Sequence, residues 1–234
     1  MAPLTVALET SSRPASVAAA MGGEAPLVSV LDDSRAHASD LLPHLAELVR
    51  SMGRGPFDIE RVVVGTGPGS YTGLRVGSAT GLGLAIGSSG SPSDGEAAFQ
   101  AELIGIPSFE ALAFEVLEAG ERAAVLRNAF GGHIYLASYG RSSTGVIEFQ
   151  APTCMRPEEA KVILGCEGVW IADKGALDAV AGVVAEPANV RDAEPNAGAL
   201  LRLARARGVD ASRHGAAAVQ PLYLRPFEAK VRKR

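Results

Sequence analysis

Gly65-Thr66-Gly67-Pro68-Gly69-Ser70-Tyr71-Thr72-Gly73-Leu74-Arg75-Val76-Gly77 is the stretch that decides how this chain is read. The apolar run Val62-Val63-Val64 leads into it, and small and aliphatic residues continue to about Ile86. That order is buried strand, tight glycine turn, helix. Such a junction can bind phosphate through free backbone amides, or it can let two backbones approach closely.

Two phosphate templates can be tried against it. The loop GxxxxGK[ST] fails, because the sixth position from Gly67 is Thr72 and no lysine follows. The dinucleotide pattern GxGxxG fails too, since the third glycine would fall on Ser70 or Thr72. Gly69, Gly73, Gly77 and Gly81 instead recur every four residues. In a helix starting near Thr72 the last three share one bare face. Glycine costs about 1 kcal/mol against alanine inside a helix, so three on one stripe imply a compensating close approach. The neighbour lies within the fold or across a subunit interface, and both readings stand at this point.

Working outward, Leu4–Leu8, Pro14–Met21 and Ala25–Leu31 read as strands, with the polar turn Thr10-Ser11-Ser12-Arg13 after the first. From Ala38 to Met52 the apolar residues Leu41, Leu42, Leu45, Leu48, Val49 and Met52 have helical spacing. Arg61–Val64 is a short strand and Thr72–Ile86 the next helix. Ser88–Gly95 reads as a loop, Leu103–Ile106 as a strand, and Ser108–Glu118 as a helix with Ser108 as N-cap. The second half repeats the order: strands over Arg122–Arg127, His133–Tyr139 and Gly145–Phe149, a helix over Arg156–Leu164, a strand over Val169–Ala172, and a helix over Ala197–Arg207. Three strands, helix, strand, helix occurring twice predicts two related α/β lobes. The predicted division is residues 1–107 and 108–234.

Composition narrows the class. The 234 residues are 47% apolar and 21% charged, which fits a globular protein and argues against disorder. No apolar stretch is long enough to span a bilayer, and the N-terminus lacks a basic leader, so a cytoplasmic location is expected. Cys154 and Cys166 form no CxxC pair, and His37, His44, His133 and His214 form neither HExxH nor HxxxH. No metal, intrinsic cofactor or catalytic set is therefore expected, and no GxSxG nucleophile elbow is present. Residues 1–120 carry 6 Lys/Arg and 14 Asp/Glu, whereas the remainder carry 16 and 12. Arg225, Lys230, Arg232, Lys233 and Arg234 face only Glu228 in the last ten residues. A solvated terminus is the simpler reading of that tail, and a graze against nucleic acid the other.

The glycine stretch resembles the signature of the bacterial TsaB (YeaZ) family. Leu4-Thr5-Val6-Ala7-Leu8-Glu9-Thr10-Ser11-Ser12 is similar to that family's first strand, and His37-Ala38-Ser39-Asp40-Leu41-Leu42-Pro43 to the start of its first helix. Gly132-His133-Ile134-Tyr135 and Pro221-Leu222-Tyr223-Leu224-Arg225 complete the set, in family order. The resemblance implies an α/β fold of the ASKHA type, two ribonuclease H-like lobes with mixed sheets flanked by helices. It implies a non-catalytic subunit needed for threonylcarbamoylation of adenosine 37 in tRNAs reading ANN codons. Catalysis would belong to a TsaD partner, with the ATPase TsaE joining the complex and ATP or ADP at the assembled interface. Contact with tRNA would be indirect, and the isolated chain would form a homodimer.

The family's partner-binding surface uses the first two helices. Here it implies Leu41, Leu42, Leu45, Gly73, Leu74, Gly77 and Gly81, with Gly67, Pro68, Gly69, Ser70, Tyr71, Thr72 and Arg75 as the glycine motif. TsaD-like proteins carry an HxxxH metal pair on the first helix, and here Leu41 stands four residues after His37. A metallohydrolase of the M22 glycoprotease type and an autonomous nucleotide-binding protein are the alternatives. The chain departs from the family at Glu9, where aspartate is usual. It departs again at Asn128-Ala129-Phe130, where Asp-Ala-Arg is usual, and in an insertion over Ser88–Ala101.

Overall fold

The computed structural model describes residues 2–31, 38–87, 101–185, 187–208 and 213–225. Strand β1 (Leu4–Glu9) pairs antiparallel with β2 (Ser16–Met21), which pairs with β3 (Leu27–Val30). Helix α1 (Ala38–Ser51) precedes β4 (Ile59–Gly65), and helix α2 (Tyr71–Gly87) precedes β5 (Glu102–Ile106). Both of these strands are parallel to β1 in direction, giving the spatial order β5-β4-β1-β2-β3. Helix α3 (Ser108–Val116) follows.

The second half builds β6 (Arg122–Phe130), β7 (His133–Arg141), β8 (Val146–Met155), α4 (Lys161–Leu164), β9 (Val169–Ala172), α5 (Lys174–Val180), β10 (Asn189–Arg191) and α6 (Ala197–Arg207). Its sheet has the order β10-β9-β6-β7-β8, with the same alternation of parallel and antiparallel pairs. The topology therefore occurs twice: two mixed sheets flanked by helices.

Period-two burial on β1 separates the layers of the first sheet. Leu4, Val6 and Leu8 join Leu41, Leu45 and Val49 of α1 and Ala85 of α2 on one face. Ala7, with Ala18 and Val63, joins Leu200, Leu201 and Leu203 of α6 on the other. Helix α3 crosses in the opposite sense: its Phe109, Leu112 and Ala113 pack with Val125, Ala137 and Tyr139 of the second sheet. The two crossing helices meet, with Arg202 donating twice to the Glu115 carboxylate at 2.6 and 2.7 Å and Arg207 paired with Glu110.

This exchange corrects the division at 107/108. Residues 197–208 and 213–219 return to the first sheet, because α6 fills the face that α1 and α2 leave bare. Strand β11 (Arg213–His214) then pairs antiparallel with β5. No sequence pattern announced β11. Ser108 is also not an N-cap: Pro107 holds that place, and Ser108 is the buried first residue of α3. The Ser88–Gly95 loop, most of the Ser88–Ala101 insertion, His37 and the tail beyond Arg225 lie outside the described residues.

Candidate functional site

The glycine turn is seated on the end of β1. Glu9, the last residue of that strand, is buried, and its Oε1 accepts from the Ser11 amide at 2.8 Å. A β-carbon on Gly65 would overlap its carboxylate. Burial pushes the Glu9 carboxyl above its ordinary range, opposed by hydrogen bonds from Ser11 and Ser108.

Four amides of the turn and first helical residues are used inside the chain. Thr66 donates to the Ile106 carbonyl at 2.9 Å, and Gly67 to Ser108 Oγ at 3.1 Å. Pro68 has no N–H. Ser70 donates to the Ser11 carbonyl at 2.7 Å, and Gly73 to Ser70 Oγ at 3.2 Å. Ser108 returns the contact by donating to the Gly67 carbonyl at 2.8 Å. Gly67 needs its glycine: φ is +95°, and a β-carbon would stand 2.9 Å from Leu74 Cδ1.

The glycine stripe faces inward. A β-carbon on Gly69 would overlap the Ser11 carbonyl, on Gly73 the Thr10 carbonyl, on Gly77 the Thr10 hydroxyl, and on Gly81 the Val64 side chain. Of the two readings left open, the bare face is thus filled by β1, its turn and β4. The residues expected to form the partner surface therefore lie largely within the fold of this chain. Leu41, Leu45 and Leu74 are buried, and Gly73, Gly77 and Gly81 contact the chain's own first lobe. Of that set only Leu42 is exposed.

A different face of the same helices points outward. On α2 it carries Thr72, Arg75, Ala79, Gly83 and Ile86, and on α1 Leu42, Pro43, Ala46 and Glu47. Among the described residues nothing lies within 4 Å of a β-carbon at Gly83. The signal for it was present: Ala79, Gly83 and Gly87 form a second run of small residues four apart. It is offset by two positions from the first run, which is richer in glycine.

The C-terminal segment crosses this junction. Ser78 Oγ donates to the Val219 carbonyl at 2.7 Å, and the Leu222 amide to the Thr66 carbonyl at 2.9 Å. The Tyr223 ring lies 4.7 Å from that of Tyr71, and Arg75 stands over the other ring system at 5.2 Å. Arg225 then reaches the β6–β7 turn, donating to the carbonyls of Ala129 and Phe130 at 2.8 and 2.9 Å.

A second polar cluster gathers around Arg127 on β6. The buried Arg127 donates to the Ala193 carbonyl and stands 3.6 Å from Glu194 and 3.8 Å from Asp173. Burial lowers its guanidinium pKa and these acids oppose the shift. Asp173 also caps α5 and accepts from the Asn128 amide at 3.0 Å. Among the described residues no three His, Cys, Asp or Glu gather as a metal group, and His44 Nδ1 is engaged with Ser29 Oγ at 2.8 Å. Among them, too, no helix is long and apolar enough to cross a membrane. Neither cysteine is in a disulfide.

Residues 6–161 match the family model described as TsaD, tRNA N6-adenosine threonylcarbamoyltransferase. Proteins named tRNA threonylcarbamoyladenosine biosynthesis protein TsaB are similar over shorter stretches. That of Haemophilus influenzae is 38% identical over 82 residues, and that of Escherichia coli 28% over 114. The chain belongs to the TsaB/YeaZ family, within the TsaD-like superfamily. These TsaB matches cover 35% and 48% of this chain, and 34% and 45% of the relatives' own lengths. The solved structure of YeaZ from Pseudomonas aeruginosa superposes with a TM-score of 0.76 at 24% identity, over 95% of this chain and 100% of that one. It shares the TsaB/YeaZ fold described above.

Proposed function

We propose that this chain is a non-catalytic subunit in tRNA threonylcarbamoyladenosine biosynthesis. It would bind a TsaD-type partner and be required for threonylcarbamoylation of adenosine 37 in tRNAs reading ANN codons. One observation carries the reading. The junction that a nucleotide enzyme would aim at phosphate spends the amides of Thr66, Gly67 and Ser70 on Ile106, Ser108 and Ser11. Beside it the outer surface of α1 and α2 is exposed.

That surface combines a half-exposed Leu42 and Ile86 with the small residues Ala79 and Gly83, over which another helix can pass closely. Catalysis then belongs to the partner, a TsaE-type ATPase joins the assembly, and ATP or ADP binds only at the assembled interface. The uncovered helix pair would hold two copies of the chain together when the partner is absent. The cytoplasm is the expected compartment.

The test is copurification with the TsaD-type protein of the same organism. Absence of a complex at micromolar concentration would sink the proposal, and so would stoichiometric metal or ATP bound to the isolated chain.

A further inference from the structure

The stack on the glycine junction has an open end. Arg75, Tyr71 and Tyr223 lie one upon the next, with 5.2 Å from guanidinium to ring and 4.7 Å between rings tilted by 32°. Tyr223 is 45% exposed. Two residues on, Arg225 grips the carbonyls of Ala129 and Phe130 and thereby fixes the tip of the β6–β7 hairpin beside the stack. At that tip Phe130 is 74% exposed, with φ at +59°, a conformation that bulky residues rarely adopt. Its amide is pinned by Asn128 Oδ1 at 2.8 Å.

A strained backbone, held from two sides, thus presents a phenyl ring to solvent, and Arg225 ties it to the segment that carries the half-exposed Tyr223. Strain of this kind is kept where surrounding contacts over-determine it, and such places are often binding sites. The charge of the surroundings selects the ligand. Residues 66–75, 129–133 and 220–225 contain Arg75, His133 and Arg225 and no Asp or Glu. Exposed ring faces next to guanidinium groups suit a flat aromatic group joined to phosphate. In nucleic acids that face is available only on unpaired bases.

We propose that Tyr223 and Phe130 form a stacking site for an unpaired base of RNA. It would make this chain a direct contributor to RNA binding, and it rests on the proposed function only for which RNA that is. The test is fluorescence anisotropy of the full chain with a labelled RNA hairpin bearing an unpaired loop, against a blunt RNA duplex. The hairpin should bind more tightly. Phe130→Gly removes the ring while relieving the backbone, so the fold is kept, and it should weaken hairpin binding about tenfold. Tyr223→Ala should do the same, and Phe130→Trp should retain affinity. Equal binding of hairpin and duplex, or affinity unchanged in Phe130→Gly and Tyr223→Ala, overturns the site. So does loss of TsaD-type partner binding in those variants with RNA affinity intact, since the surface would then be a protein contact. Failure of partner copurification in the unaltered protein counts against the proposed function alone.

Discussion

The Thr10 hydroxyl donates to the Gly73 carbonyl at 2.8 Å, while the Thr10 carbonyl occupies the space a β-carbon on Gly73 would need. The first turn of α2 is therefore clamped to the loop after β1. Gly73→Ala should destabilise the fold by about 1–3 kcal/mol, the usual cost of overpacking. For a chain of this size that is a fall in Tm of about 2–12 °C. Gly83→Ala, at a helix position with open space, should instead raise Tm by about 2–4 °C. Thermal unfolding of the two variants checks both signs, and matching Tm values would contradict the inward packing.

The same geometry separates folding from partner binding. Leucine at Gly77 or Gly81 would collide with the Thr10 and Val64 side chains and is a folding defect. Leu42→Asp and Ala79→Arg, on the exposed face, should leave Tm within about 2 °C. They should weaken capture of a TsaD-type partner at least thirtyfold, roughly the effect of losing a hot-spot residue. Titration by calorimetry reads the affinity and circular dichroism the fold. Intact binding in both variants would move the interface elsewhere.

Much of this architecture is legible in the chain, and the failures share a cause. Apolar runs such as Val62-Val63-Val64 and the stripe Leu41-Leu45-Val49 declare strand and helix through local periodicity, and the structure buries them as such. Local periodicity carries no information on which sheet a helix joins. Helix α6 thus read as part of the second lobe although Leu200 and Leu203 pack beneath β1. Nor does a two-residue strand such as β11 leave a pattern. The glycine stripe was legible as a close contact but not as to which partner, since Thr10 lies 63 residues away in sequence. Its true neighbour follows only from the parallel β1–β4 pairing.

Acid should loosen one specific joint. Arg191 on β10 donates to both carboxylate oxygens of Glu121, one at 2.7 Å, and to the Val116 carbonyl at 2.8 Å. These bonds hold the Glu121 carboxyl down at about 2, against an ordinary 4.5. A lowered pKa means that the contribution is fully present above about pH 4.5 and is lost as pH falls toward 2. Glu121→Gln should therefore be less stable than the parent at neutral pH. The difference should shrink between pH 4.5 and 2 in denaturant titrations. A gap that is constant with pH would assign the effect to packing.

Glu9 should act with the opposite sign. Burial beneath Gly65 raises its carboxyl, so the folded state holds the proton after the unfolded chain has lost it. Below about pH 4.5 both states are protonated and no cost arises. Above that value stability falls with rising pH by about 1.4 kcal/mol per unit, until the raised folded pKa is passed. Glu9→Gln retains an oxygen to accept from the Ser11 amide and removes the ionisation. The variant should match the parent near pH 4 and exceed it in stability at pH 7–8, read from urea midpoints across that range. Because Glu9 sits under the turn that launches α2, this gain should leave partner capture unchanged. If Glu9→Gln is less stable at every pH, the carboxyl is ionised in the fold and compensated by groups other than those found around it.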